Sequence, residues 1–357
     1  MKIAIFCPSW VGDMVMATPT LRAVRRQWPH AEILAVVRPY VAGVLDGLDL
    51  VDRRLLHDPQ PGALWRETDS GASAGPSFGM RIRRERIDAA LLLTNTFRSA
   101  FWALFSGATR RVGFDLRGRG WMLTDPVPAR PQNVPHPVID NYLQLAAQLG
   151  CENFTRETEL ATSPGAEQQL RAFWNRQRFG DYARRGVVCL NPGGAFGSAK
   201  HWPVESFAEL ARQIATQLDK RVLVLCGPAE REEARQIVNR VRHPAVVSLA
   251  DEKPSLALTK SAIRHADLLV STDSGPRHFA APFKVPVVTL FGPTHTAWSE
   301  TFYERSLHLQ ADVDCGPCQK RVCPLKHHRC MHDLQVSWVF RAAASLLEQY
   351  PAMSKAA

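Results

Sequence analysis

No apolar run in this chain approaches the roughly 18 residues that a membrane-spanning helix needs, so none is expected. The opening Met1-Lys2-Ile3-Ala4-Ile5-Phe6 is broken at Pro8 and Asp13 and carries neither the longer apolar stretch nor the cleavage site of a signal peptide. A cytoplasmic protein is therefore expected. No Gly-x4-Gly-Lys-Ser/Thr loop is present, and no Gly-x-Gly-x-x-Gly follows any strand. These absences exclude a nucleotide P-loop and argue against a nicotinamide site. Interleaved aromatic and basic motifs are lacking too, so a nucleic-acid partner is not expected. Lysine is scarce in the first half, where Lys2 is the only one before residue 181 and arginine carries the charge. That choice suits bidentate phosphate binding as well as genomic bias.

What is present points to an ordinary folded protein. The 357 residues are 45% hydrophobic and 22% charged, which excludes dominant disorder. At about 150 residues per domain the chain holds two domains, and it is long enough to fold without a disulfide framework. The net charge is +10, shared evenly: 22 basic and 17 acidic side chains in residues 1–180 and the same numbers in 181–357. Such an excess fits a phosphorylated substrate, an anionic membrane surface or plain solubility.

A strand–helix–strand rhythm runs through both halves. Residues 3–7, 33–37 and 88–93 read as buried parallel strands, with a helix over 14–28. Residues 58–79, rich in Gly, Pro, Ser and Ala, read as an irregular surface loop. The rhythm restarts with strands at 186–190, 222–226, 246–249, 268–271 and 287–291 and helices carrying Phe207 to Ile214 and spanning 230–241. An apolar-periodic helix over 336–350 precedes a polar tail. The expected fold class is α/β, with an N-terminal Rossmann-like domain over 1–178, a C-terminal one over 179–335, and a C-terminal helix and tail over 336–357. Ligands of open α/β sheets gather at the carboxyl ends of strands, so the residues just after each strand carry the information.

Four segments stand out there. Gly12-Asp13 follows the first strand and starts a helix; Asp13 fits a helix cap or a proton acceptor, and Gly12 lets a ligand approach the backbone. The turn Asn191-Pro192-Gly193-Gly194-Ala195-Phe196-Gly197-Ser198-Ala199-Lys200 fits a phosphate site or a loop with a solvated lysine. Ser271-Thr272-Asp273-Ser274-Gly275-Pro276-Arg277-His278 fits a phosphate-binding helix start, with Asp273 as a hydroxyl ligand, or a capped helix with a buried histidine. Cys315, Cys318, Cys323 and Cys330 cluster beside His327, His328 and His332; they fit a structural metal such as zinc, or free and redox-labile thiols, but not a catalytic metal. The other four cysteines are scattered, as buried structural ones are. The run Arg81-Ile82-Arg83-Arg84-Glu85-Arg86 fits a solvated helix face or contact with phospholipid headgroups.

Taken in order, these segments resemble glycosyltransferase family 9, the lipopolysaccharide heptosyltransferases, nearest the heptosyltransferase II type. The resemblance spans nearly the whole chain. It rests on Pro8-Ser9-Trp10-Val11-Gly12-Asp13-Met14, Asn95-Thr96-Phe97-Arg98-Ser99-Ala100, Arg111-Val112-Gly113-Phe114, the 192–203 segment ending Lys200-His201-Trp202-Pro203, Thr272-Asp273-Ser274-Gly275-Pro276-Arg277-His278 and Phe291-Gly292-Pro293-Thr294. It implies a GT-B fold, two Rossmann-like domains whose parallel sheets face a central cleft. It also implies an inverting, metal-independent transfer of heptose from ADP-heptose to a lipid A-linked inner-core oligosaccharide, at the cytoplasmic face of the membrane, with peripheral attachment and no cofactor. In that reading Asp13 is the general base and Lys200 stabilises the departing diphosphate. Gly194, Ala195, Phe196, Ser274, Gly275 and His278 hold the donor diphosphate, Asp273 contacts donor hydroxyls and Glu230 the ribose. Gly12, Arg98 and Arg111 serve the acceptor. The alternatives are another nucleotide sugar or glycan acceptor, or a non-catalytic sugar-nucleotide binder on the same fold.

Overall fold

A computed structural model describes residues 1–58, 71, 73, 75–131, 133–180, 185–194 and 196–351. The chain divides into two compact units, Met1–Ala161 with Ser299–Thr301, and Thr162–Trp298 with Phe302–Ala357.

The first unit is built on one parallel sheet. Its strands are β1 (Lys2–Phe6), β2 (Glu32–Val37), β3 (Arg53–Leu56), β4 (Ala89–Leu92), β5 (Arg110–Asp115) and β6 (Asp125–Pro128), in the order β3-β2-β1-β4-β5-β6. The central strand reads Ile3-Ala4-Ile5-Phe6 without a polar break, because both of its faces are covered. Ile5 lies opposite Ala35 on one side and Leu91 on the other.

The second unit repeats the plan with β7 (Val187–Asn191), β8 (Arg221–Val224), β9 (Val246–Ser248), β10 (Leu268–Thr272), β11 (Val287–Phe291) and β12 (Ser306–Gln310), in the order β12-β11-β10-β7-β8-β9. Counted from the first strand of each unit, the two sheets share one order, 3-2-1-4-5-6, which is that of dinucleotide-binding folds. The helix Val204–Gln217 packs its Phe207, Leu210, Ala211 and Ile214 face into the core, and Trp202 seals it by donating its indole N–H to the Leu334 carbonyl at 2.9 Å.

All eight expected strands are present. The four that were not anticipated, β3, β5, β6 and β12, carry polar or backbone-breaking residues: Arg53 and Arg54, Arg110 and Arg111, Pro126 and Pro128, His308 and Gln310. Three of them are edge strands, where such residues are tolerated.

The single helix expected over 14–28 is two, Val11–Met16 and Thr18–Gln27. Pro19 has no N–H to give the Val15 carbonyl, and the Thr18 hydroxyl donates to it instead at 2.7 Å. The irregular loop expected over 58–79 ends early, since Gly75–Arg84 is a helix anchored by buried Phe78 and Ile82 one turn apart. Residues 59–70 of that stretch lie outside the described residues.

Helix Pro164–Arg176, read from sequence as part of the first domain, packs on Leu256–Arg264 and belongs to the second unit. Helix Val336–Gln349 packs on Val204–Gln217 and is likewise part of that unit rather than an appendage.

Candidate active site

In each sheet the strand order reverses beside the first strand, so the loops after β1 and β4, and after β7 and β10, diverge and leave room for a ligand at the carboxyl edge.

In the first unit, helix Val11–Met16 starts directly after the β1 loop. Gly12 is buried and Asp13, in the first turn, is half-buried. The Asp13 charge reaches the buried phenol of Tyr142, whose pKa is raised first by burial and then by Asp13 and Cys7. Arg98 is exposed at the start of helix Phe97–Phe105, which follows the β4 loop.

Two unanticipated groups join Arg98 at this edge. His57 follows β3 and has its pKa pushed down to about 4, by burial first and then by the positive charges of Arg98 and Arg38. Arg38 follows β2 directly, and its position after a predicted strand was the signal that would have found it. His57 was hidden because β3 was not foreseen.

Arg111 is not brought to this edge. It sits near the amino end of β5, where its guanidinium donates to the Met122 carbonyl at 2.7 Å and the Ala108 carbonyl at 2.5 Å. The arginine that shapes the edge is Arg119, fully buried. It donates to the carbonyls of Phe114 (2.9 Å) and Thr94 (2.6 Å) and to Asn95 Oδ1 (3.0 Å). Burial lowers its pKa to about 10, with Asp115 opposing. Arg119 thereby fixes the loop that presents Arg98.

In the second unit the residues after β7 and β10 interlock. Asn191 Nδ2 donates to Ser274 Oγ at 2.8 Å and to Ser271 Oγ at 3.0 Å, and the Thr272 hydroxyl donates to the Gly193 carbonyl at 2.8 Å. Gly194 is close enough to Ser274 that an added Cβ would lie 3.2 Å from the serine Cβ. Ser274 and Gly275 open a short 3-10 turn, Gly275–Phe279, rather than the expected helix. Ala195 lies outside the described residues.

Lys200 closes the 3-10 turn Ser198–Lys200 and is buried. Its ammonium donates to Asp273 Oδ2 at 2.5 Å and to the Asp273 carbonyl at 2.9 Å, and stands 4.4 Å from the centre of the Phe196 ring. Asp273 also accepts from Thr294 Oγ1 at 2.7 Å and lies 3.5 Å from Arg277 Nε. Burial alone would raise the carboxyl pKa, but the charges of Lys200 and Arg277 and the bonds from Lys200 and Thr294 hold it at about 2. A carboxylate so engaged anchors a lysine. Thr294 and Arg277 were quoted in sequence motifs without a role.

His278 is buried and held neutral, by burial first and by Arg277 next. Glu230 is half-buried at the start of helix Arg231–Val241. Its side chain occupies the space that Cβ atoms at Gly193 and Gly227 would need, since these would lie 2.3 Å from Glu230 Cγ and 2.6 Å from its Oε2. Those two glycines, after β7 and β8, are what admit the carboxylate to this edge.

The four clustered cysteines line one small cavity with His327 and Ala199. The Cys330 thiol is pushed up to about 11, by burial first and then by Cys318, Cys315 and Cys323. Cys323 is shifted the other way by backbone N–H groups, that of His328 foremost. Among the described residues, no three His, Cys, Asp or Glu side chains are grouped so as to hold a metal ion. The segment has a visible structural part: the Arg321 carbonyl accepts from Ala199 N at 3.1 Å, one residue before Lys200, and its guanidinium lies 5.4 Å from the Phe196 ring centre.

With this geometry in view, likeness to known proteins narrows the chemistry. The family model described as Glycosyltransferase family 9 (heptosyltransferase) matches residues 76–329. The chain belongs to that family. It is a glycosyltransferase on the GT-B fold. Lipooligosaccharide heptosyltransferase 2 of Campylobacter jejuni is 26% identical over 98% of this chain and 99% of its own length. Lipopolysaccharide heptosyltransferase 2 of Escherichia coli is 26% identical over the same shares. The solved structure of E. coli ADP-heptose LPS heptosyltransferase II superposes with a TM-score of 0.78 at 24% identity, covering 99% of this chain and all of that one.

Two outcomes follow from the electrostatics of this glycosyltransferase. The Asp273 carboxyl is held below its usual 3.8, so its contribution to stability is complete above that value and is lost as pH falls toward about 2. Asp273→Asn should therefore cost about 3 kcal/mol in urea unfolding at pH 7, by stranding buried cations, with the gap from wild type narrowing between pH 4 and 2. In Arg98→Ala, the His57 ring titrated by NMR should move up from about 4 without reaching 6.5, because burial, the larger cause, remains.

Proposed function

We propose that this chain transfers heptose from ADP-heptose to an inner-core sugar of lipopolysaccharide, with inversion at the anomeric carbon and without a metal in the chemical step. The names of its full-length relatives support the sugar and the acceptor class. The observation that carries the reading is the complementary chemistry of the two switch points. One bears a carboxylate, Asp13, at a helix start; the other bears a buried ammonium, Lys200, among loops tied by Asn191, Thr272 and Ser274.

Asp13 takes the proton of the acceptor hydroxyl as that oxygen attacks the anomeric carbon from the side opposite the diphosphate. The bond from that carbon to the diphosphate oxygen breaks, and ADP leaves with the electron pair. Two of the three Lys200 N–H donors are committed to Asp273, which aims the third and keeps the ammonium charged as negative charge grows on the leaving group. His278, neutral, serves the diphosphate as a hydrogen-bond donor rather than as a charge. Glu230 accepts from the ribose hydroxyls in this reading.

Asp273 is the anchor of Lys200 in this account. Arg98, with Arg38 beside the neutral His57, is the acceptor's anion partner, and Arg111 drops out. The reaction is placed at the cytoplasmic face of the membrane, where a lipid-linked acceptor meets a soluble sugar nucleotide; no helix among the described residues is long and apolar enough to cross a membrane.

Asp13→Ala should lower transfer from ADP-heptose by at least about a hundredfold while leaving the donor Kd within about twofold of wild type. Turnover of the variant at the wild-type rate would make Asp13 a helix-terminus residue only. Saturable binding of ADP-heptose by the wild-type chain without transfer to any inner-core acceptor would make it a binding protein.

A further inference from the structure

Exposed aromatic rings form a row on the first unit. Phe97, Phe101 and Phe105 repeat every fourth residue along helix Phe97–Phe105, and Trp121, in the 3-10 turn Gly120–Met122, lies 6.5 Å from Phe97 between ring centres. Phe101 and Phe105 stack at 6.0 Å. These four are between 41% and 70% exposed. Single exposed apolar residues are ordinary; two pairs of large exposed rings following one another along a helix are not. The other face of the same helix, Ser99, Ala100 and Ala103, serves the core, while Phe101 and Phe105 reach it only through the half-buried Trp102 ring.

The border of the row is cationic. Arg98 lies on the same helix, Arg117 precedes Trp121, and Arg83 and Arg84 end the neighbouring helix Gly75–Arg84; all four are exposed. Gly79 brings that helix close, since an added Cβ would lie 2.9 Å from Trp102 and 3.2 Å from Phe105. Arg83 donates to the Phe105 carbonyl at 3.1 Å, which sets its guanidinium at the end of the row. No carboxylate pairs with any of these four arginines among the described residues. Asp115, nearby, acts on buried Arg119 and lies against Gly120.

Rings at headgroup depth with guanidinium groups among phosphates are how a protein rests on an anionic bilayer. A second copy fits less well, because a self-complementary contact would set arginines against arginines. We propose that the Phe97–Phe101–Phe105–Trp121 row with its arginine border is a docking surface for an anionic phospholipid bilayer. The inference deepens the reading of a lipid-anchored acceptor and rests on it. Arg98 belongs to both the docking border and the acceptor edge, so docking would bring that edge to the lipid surface.

The test is co-sedimentation with phosphatidylglycerol–phosphatidylcholine vesicles, against pure phosphatidylcholine, with no sugar donor or acceptor present. Wild type should bind the anionic vesicles. The double variant Phe101→Ser, Phe105→Ser and the single variant Trp121→Ser should each lose about tenfold or more in affinity, and Arg83→Gln with Arg84→Gln should remove the preference for anionic lipid. Circular dichroism and transfer to a soluble, deacylated acceptor should stay at wild-type levels in all three. Undiminished vesicle binding by both the phenylalanine and the tryptophan variants would overturn the proposal. So would a wild-type dimer that ignores vesicles and is broken by the same substitutions. Because vesicle binding is read without substrates, its failure is distinct from a failure of heptose transfer.

Discussion

A lysine and an aspartate buried against each other at 2.5 Å organise the second unit. Removing two charges from water is costly, and the pair persists because other groups share in holding it. Lys200 also holds the Asp273 carbonyl; Asp273 also holds Thr294 and stands beside Arg277. These partners come from four places: the Ser198–Lys200 turn, the end of β10, the turn after it and the loop after β11. The ion pair therefore ties separate loops at one sheet edge, and the neutral bonds of Asn191 and Thr272 repeat the tie beside it. A site built this way has its donors in place before substrate arrives, which is where electrostatic catalysis gets its strength.

The first unit reaches a similar end by other means. Arg119 has no carboxylate in hydrogen-bond contact among the described residues and is satisfied by carbonyls and an amide oxygen. A buried guanidinium whose fork ties the loop after β4 to the end of β5 makes that loop rigid. Arg98 stands at the start of the helix that follows the loop so fixed, while Arg38 and His57 come from the neighbouring strand ends. The cysteine segment plays a comparable part in the second unit, where Arg321 and Ala199 link it to the turn that ends in Lys200.

Much of this was legible in the residues, for reasons that can be named. Central strands such as 268–271 and 287–291 are covered on both faces and so stand out as apolar runs. Edge strands do not: β6 reads Asp-Pro-Val-Pro and β12 begins Ser-Leu-His, and only pairing in three dimensions makes them strands. The helix over 75–84 was masked by glycine and proline at its start, although Phe78 and Ile82 carried the right spacing. Asp13, Lys200, Asp273 and Ser274 could be singled out as candidates because each follows a recognisable strand or turn. His57 was missed with its strand. Arg119 was missed because a buried arginine looks like any surface arginine until partners such as Thr94 and Asn95, more than twenty residues away, are known. The ion pair of Asp273 was hidden for a related reason: sequence shows an aspartate after a strand but not the lysine, 73 residues away, that it holds.

The central claim is that Lys200, oriented by Asp273, carries charge for the departing diphosphate. It is tested most directly by the single-turnover rate of Lys200→Ala on ADP-heptose, in protein whose circular dichroism matches wild type. The account predicts a fall of at least about a hundredfold in the transfer step, the scale of losing one preorganised donor at a developing negative charge. A variant that folds and transfers heptose at the wild-type rate would contradict it.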